Sequence, residues 1–189
     1  MTDSAITGKR RKGPPKPLNS ERLRDLALSY LARFSTSAAK LEAYLARKLR
    51  ERGWEGEGQP DIHGLVARYV ELGYVDDAAY ARAQAGSLLR RGYGARRVGQ
   101  ALHAAGIAEP IRAEVDPAEF ARREAALALA RKRRFGPFFD GAIERDRREK
   151  QVAAILRAGH VYDHARRVID ASSEAELEEW LDEARDGVD

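Results

Sequence analysis

The residues whose types and spacing could do chemistry in this chain are mostly arginines. Arg90 and Arg91 precede Gly92, and Arg96 and Arg97 follow shortly after. Arg131, Lys132, Arg133 and Arg134 form a second cluster, and Arg145, Arg147, Arg148 and Lys150 a third. Guanidinium forks suit phosphates and carboxylates alike, so the clusters predict a polyanion or an acidic protein surface as partner. A helix C-terminus stabilises cations, which gives Arg90 and Arg91 a structural explanation. Arg96 and Arg97 open the next predicted helix, where the dipole repels positive charge, and that explanation fails them. Both are therefore expected to be exposed. Aromatics do not alternate with these bases as on a single-strand stacking platform. Any nucleic acid is expected to be held by its backbone, without base reading.

Other chemistry has little to stand on. No glycine loop leads into Lys-Ser/Thr, so nucleotide hydrolysis has no support. His160 and His164 are four residues apart and could share a metal, but no third ligand lies at a motif distance. His63 and His103 fall on polar faces of predicted helices. A Ser-His-Asp triad is neither excluded nor supported by spacing. The carboxylates have another explanation: Asp61, Asp77 and Asp116 stand where helices begin, and Asp76 sits beside a cap, where the dipole favours negative charge. The expectation is a non-enzymatic protein with no cofactor and no metal.

Composition agrees with a binding role. The net charge of +4 hides an asymmetry: residues 172–189 carry eight acids and one base, so the rest of the chain carries +11. A basic body of this kind suits a polyanion. There is no cysteine, which removes disulfides, thiol catalysis and cysteine-based metal sites. With no apolar signal-like segment and no long apolar run, a cytoplasmic protein without membrane contact is expected.

These residues need elements to position them, and the apolar periodicity predicts helices throughout. Helix one covers about residues 20–34, with Leu23, Leu26, Ala27, Tyr30, Leu31 and Phe34 on one face. Thr36 or Ser37 caps a second, with Leu41, Tyr44, Leu45 and Leu49 inward and a stop at Gly53, where Trp54 folds back on Leu49. Asp61 caps a third, ended by Gly73 with Tyr74 against Tyr69. Asp77 is read as the cap of a fourth, carrying Ala81, Ala85, Leu88 and Leu89 on one face and stopped by Gly92. The fifth carries Val98, Ala101 and Leu102 and ends at Gly106, where Ile107 folds back on Leu102 in a Schellman stop. A short sixth begins near Pro110. Asp116, Pro117 and Glu119 read as cap, first-turn proline and acid of a seventh, which ends in the 131–134 cluster. The eighth stops at Gly159, and a ninth carries Ala165, Val168 and Ile169. No strand pattern survives.

The middle helices of successive triplets end at Gly53, Gly106 and Gly159, an equal spacing, each with an aliphatic four residues earlier (Leu49, Leu102, Ile155). Such a period predicts tandem helical units. The expected organisation is a flexible basic arm (1–18), three-helix repeats at 19–75, 76–116 and 117–171, and an acidic helix (172–189). Ser173 and Glu176 form a capping box on that last helix, and Leu177, Trp180, Leu181 and Ala184 make a narrow apolar stripe. It could pack on the basic body, bind a partner or shield basic surface. Packing is favoured.

The run Leu72-Gly73-Tyr74-Val75-Asp76-Asp77, then Tyr80-Ala81, Arg91-Gly92-Tyr93-Gly94, Arg96-Arg97, Leu102 and Gly106-Ile107 resembles the signature of the RecX family of recombination regulators. Leu41, Leu45, Leu49 and Gly53, and then Arg148, Lys150, Leu156 and Gly159, resemble its flanking parts, so the likeness spans about residues 20–170. His160 departs from it, standing where the family usually has an aromatic, and Gln151 replaces an expected aliphatic. The resemblance implies an all-α protein of tandem three-helix repeats in an elongated, curved array. It implies a modulator, usually an inhibitor, of the RecA recombinase, bound to the RecA filament on single-stranded DNA; with no dimerisation helix evident, a monomer is expected. Many family members also bind DNA directly.

On this reading Arg90, Arg91, Arg96, Arg97, Arg131, Lys132, Arg133, Arg134, Arg147 and Arg148 are the candidates for contact with recombinase or DNA. Gly53, Asp76, Asp77, Tyr80, Gly92, Gly106 and Gly159 belong to the structural motif. The alternative is a general or sequence-specific DNA-binding protein, such as a transcription regulator, with helix-turn-helix geometry in helices four and five. A carboxylate-and-metal nuclease is the remaining, least supported reading.

Overall fold

The computed structural model describes residues 16–141 and 144–186. The expected basic arm lies largely outside them. Among the described residues the chain is all-α: ten α-helices, one short 3-10 turn, and no strand beyond an isolated bridge between Leu18 and Trp54. Two compact units divide the chain. One holds residues up to Phe34 together with Leu41–Tyr74; the other holds Ser35–Lys40 and everything from Val75 onward.

The first unit contains α1 (Ser20–Leu31), most of α2 (Ala38–Arg52) and α3 (Ile62–Glu71). Leu23, Ala27, Leu41, Leu45, Val66 and Tyr69 are buried, as their spacing predicts. Helix α1 ends at Leu31, earlier than periodicity alone suggests, and Phe34 is exposed. Asn19 caps α1 by accepting from Arg22 N–H, and Asp61 caps α3 by accepting from Gly64 N–H. Leu18, assigned by sequence to the arm, is fully buried. Its N–H donates to Gly53 O, and Glu55 N–H donates to its carbonyl. Trp54 is thereby paired in backbone with Leu18, and its Nε1–H donates to Gly58 O.

The second unit contains α4 (Asp77–Arg90), α5 (Ala95–Ala104), α6 (Glu109–Glu114), α7 (Glu119–Arg133), the 3-10 turn Gly136–Phe138, α8 (Arg145–Arg157), α9 (Tyr162–Asp170) and α10 (Glu174–Asp186). Two apolar clusters hold it. Tyr80, Ala81, Ala85, Leu88, Val98, Leu102, Ala105 and Ile107 form one. Residues of α7, α8, α9 and α10 form the other, with Leu127, Ile155, Val168 and Leu177 at its centre. Each fully buried leucine or isoleucine contributes about 1.5–3 kcal/mol.

Two caps differ from the sequence reading. Asp76, not Asp77, caps α4, accepting from Ala79 N–H at 2.8 Å. Asp77 reaches across instead and accepts from Ala38 N–H at 2.9 Å, in the first turn of α2. Ser37 adds to that cap by accepting from Lys40 N–H, and its own hydroxyl donates to Ala105 O at 2.6 Å. One aspartate therefore caps a helix distant in sequence, which local spacing does not reveal. Asp116 does not cap α7 either: the cap position is Ala118, and Asp116 binds Arg122 at 2.6 Å. The Schellman stops appear at Gly106, with Ile107 N–H on Leu102 O, and at Gly159, with His160 N–H on Ile155 O. Gly53 has positive φ too, but its stop rests on a single bond from its own N–H to Leu49 O.

Helix α5 carries a built-in test of this packing. Gly94 has an ordinary φ of −80°, yet a Cβ there would overlap the Gly159 carbonyl. Gly99, one turn on, has open space around it. Two glycine-to-alanine changes at either end of one turn therefore have opposite signs. G94A is expected to lower unfolding stability by about 1–3 kcal/mol through overpacking, and G99A to raise it by up to about 1 kcal/mol through helix propensity. Denaturant unfolding of the two variants checks this.

Candidate partner-binding surface

The surface is built on a joint between two helix ends. The C-terminal carbonyls of α8 meet the N-terminal amides of α5. Gly94 N–H donates to Ala158 O at 3.0 Å, and Arg96 N–H donates to Gly159 O at 3.2 Å. The negative end of one dipole thus faces the positive end of the other. The contact is close enough that a Cβ on Gly159 would sit 2.6 Å from Arg97 N. His160 completes the joint: it is buried, and its Nε2–H donates to Gly92 O at 3.0 Å. So His160 and Gln151, the two departures from the family pattern, are both placed by the fold. Gln151 is buried and accepts from Gly136 N–H at 3.1 Å.

This joint corrects the reading of Arg96. Its Nη2 donates to Leu156 O at 2.8 Å, satisfying a carbonyl at the end of α8. The cation at the start of α5 is stabilised by the C-terminus of another helix, a reason that sequence does not display. Arg96 and Arg97 both keep the expected exposure, and neither has a carboxylate within 4 Å among the described residues.

The clusters separate in the same way into free and committed cations. Arg90, Arg91, Lys132, Arg133 and Arg134 are exposed. Among the described residues none of them is ion-paired. Arg91 lies over the Tyr93 ring at 5.3 Å, and Arg147, also without a carboxylate partner among the described residues, over Phe139 at 4.3 Å. Arg148 is committed: it holds Asp170 by two bonds of 2.6 Å, and that pairing keeps the Asp170 carboxyl below its usual range. Arg131 is committed too, bound to Glu174 and Glu178 of α10. Arg134 is the one non-glycine residue with positive φ, 53°, among the described residues.

Packing brings the two free clusters together. The Gly92 turn seats directly on α7: a Cβ there would be 2.9 Å from the backbone of Leu129. Leu129 stands one helical turn, about 5.4 Å, before Arg133. The basic end of α4 and the basic end of α7 therefore lie beside the same contact, although some forty residues separate them in sequence. Arg157, exposed in the last turn of α8 two residues before Gly159, adds to the basic groups around the joint. The only sequence signal for it was its place near a helix C-terminus.

The acidic α10 packs as expected. Leu177 and Trp180 are buried in the second apolar cluster, and Arg123 donates to Trp180 O at 2.6 Å while stacking on its ring. Helix α10 so takes Arg123 and Arg131 out of the basic surface and leaves Lys132, Arg133 and Arg134 in it.

His160 links the joint to pH. Burial pushes its pKa below 6.5, against the smaller opposing effect of the Gly92 carbonyl. The unfolded chain therefore binds a proton near pH 6.5 that the folded chain refuses. Stability is full above that pH and falls as pH drops through it, by up to about 1.4 kcal/mol per pH unit. Asp170 and Glu176, held below the usual carboxyl range by Arg148 and by Ser172, contribute little between pH 6.5 and 5. Unfolding measured across this window is expected to show the loss in the native protein, and a flatter profile in H160Q, whose amide keeps a donor for Gly92 O.

Comparisons with known proteins fall on the same elements. The family model for the RecX second three-helix domain matches residues 76–115, which hold α4, α5 and α6. The chain is 33% identical over 175 residues to the regulatory protein RecX of Myxococcus xanthus, covering 87% of this chain and 94% of that protein. It is 32% identical over 158 residues to the regulatory protein RecX of Halorhodospira halophila, covering 82% and 91%. The crystal structure of RecX from Lactobacillus salivarius shares the fold at a TM-score of 0.59 and 18% identity, over 86% of this chain and 96% of that one. No described helix is long and apolar enough to cross a membrane. With a relative this similar over nearly its whole length, the chain belongs to the RecX family of regulatory proteins.

Proposed function

We propose that this chain is a non-enzymatic regulator of recombinational DNA repair. It binds the RecA filament on single-stranded DNA as a monomer and limits the filament's activity. The observation that carries the reading is the basic group at the Gly92 turn: Arg90, Arg91, Arg97, Lys132, Arg133 and Arg134, exposed and without carboxylate partners among the described residues, around a tightly packed helical joint. Family membership supplies the partner, and the charge supplies the means. Phosphate backbone and acidic recombinase surface both suit exposed guanidinium groups. If all six cations engage phosphates, the single-strand salt slope is no steeper than about −4 in log–log terms.

The reading as a sequence-specific DNA-binding protein is weakened by the position of α5. A recognition helix presents its N-terminal residues to the major groove. Here those backbone amides are taken by α8.

The test is the single-strand-dependent ATPase of RecA. The native chain is expected to depress it. The quadruple variant R90Q/R91Q/R133Q/R134Q is expected to need at least tenfold more protein for the same effect, with unchanged helicity by circular dichroism. Its DNA salt slope is expected to fall by up to about 3. Equal potency of the two proteins would remove the basic face from the account.

A further inference from the structure

A second surface of the same unit has a different chemistry. An open cleft of about 370 Å³ lies between the start of α5 and the start of α9, lined by Arg96, Arg122, Leu156, His160, Val161 and Tyr162 among others. Its rim is apolar and uncovered: Val161 and Tyr162 are each 54% exposed. No carboxylate lines it. Arg122 is neutralised by Asp116 at 2.6 Å, whereas Arg96 donates only to a backbone carbonyl and keeps its charge unopposed. The cleft therefore combines an apolar wall with one cation that has no carboxylate partner among the described residues.

Two polar features add direction. His160 is 6% exposed and spends its Nε2–H on Gly92 O, which leaves Nδ1 of this cleft-lining ring as a hydrogen-bond acceptor. The start of α9 already carries Asp163 in its first turn, so the charge preference of the cleft rests on Arg96. A phosphate backbone fits poorly here, because a single cation without a carboxylate and an acceptor face an apolar wall. A peptide fits each part: a carboxylate for Arg96, an apolar side chain for Val161 and Tyr162, and a backbone N–H for His160.

We propose that the cleft between α5 and α9 docks an extended segment of a protein partner, one in which an apolar side chain stands beside a carboxylate. It is a separate surface from the basic face and does not depend on nucleic acid.

The probe is a fluorescein-labelled decapeptide in which leucine and glutamate alternate with glycine, followed by anisotropy against the full chain. Saturable binding is expected. It should weaken at least fivefold in V161S/Y162S, whose side chains are more than half exposed and so leave the fold intact. It should weaken similarly when glutamine replaces glutamate in the peptide. Single-stranded DNA affinity of V161S/Y162S should equal that of the native chain, which separates this proposal from the basic-face reading. No saturable binding by the native chain overturns the proposal, as does equal binding by the variant or equal binding of the glutamine peptide. A parallel loss of DNA affinity would assign the cleft to nucleic acid instead. A native dimer in sedimentation that the variant dissolves would assign it to a second copy.

Discussion

The second unit depends on one end-to-end contact, in which the last carbonyls of α8 meet the first amides of α5 across Gly94 and Gly159. Each helix end would otherwise leave backbone groups for water or a side chain to satisfy. Meeting end to end, they satisfy one another, and the opposed partial charges attract. The approach is possible because neither glycine has a Cβ. With α5 held in this way, the Gly92 turn before it is seated on α7 and His160 is enclosed beneath that turn. The helix ends that carry Arg90 and Arg91, and Lys132, Arg133 and Arg134, are then held near one backbone contact. The backbone that carries these cations is ordered before a partner arrives, so little loop entropy is left to lose on binding, while the exposed side chains keep their rotamer freedom.

The same contact divides the arginines by task. Arg96 serves the joint, Arg148 ties α8 to α9 through Asp170, and Arg131 ties α7 to α10. Arg90, Arg91, Arg97, Lys132, Arg133 and Arg134 remain at the surface. Arg134 adopts a left-handed backbone that glycine would take without strain. A charge kept at a position where glycine would be easier is consistent with a role for that charge outside the fold.

Much of this was legible in the sequence because it is local. Helix periodicity, the caps at Asp61 and Ser173, and the glycine stops at Gly92, Gly106 and Gly159 all depend on residues a few positions apart. The Leu102 and Ile107 pair could be read directly. What could not be read are contacts between distant segments. Asp77 looked like the cap of its own helix and instead serves Ala38. Arg96 looked free and instead answers Leu156. Gly94 carried no signal of its close approach to Gly159, since its φ is ordinary. His160, a departure from the family pattern, turns out to supply a donor where the joint has a carbonyl to satisfy. Which cations are free was likewise hidden, because it depends on which carboxylates the fold delivers to them.

The claim that the Gly92 joint presents the partner-binding face is tested most directly by photo-crosslinking. A benzoylphenylalanine replaces Arg91 in one full-length protein and Asp182, exposed on the acidic α10, in another. Each is mixed with RecA filaments on single-stranded DNA and irradiated. The account predicts adducts to filament protein or DNA from position 91 at several times the yield from position 182. Equal yields from the two positions, or adducts only from position 182, would contradict it.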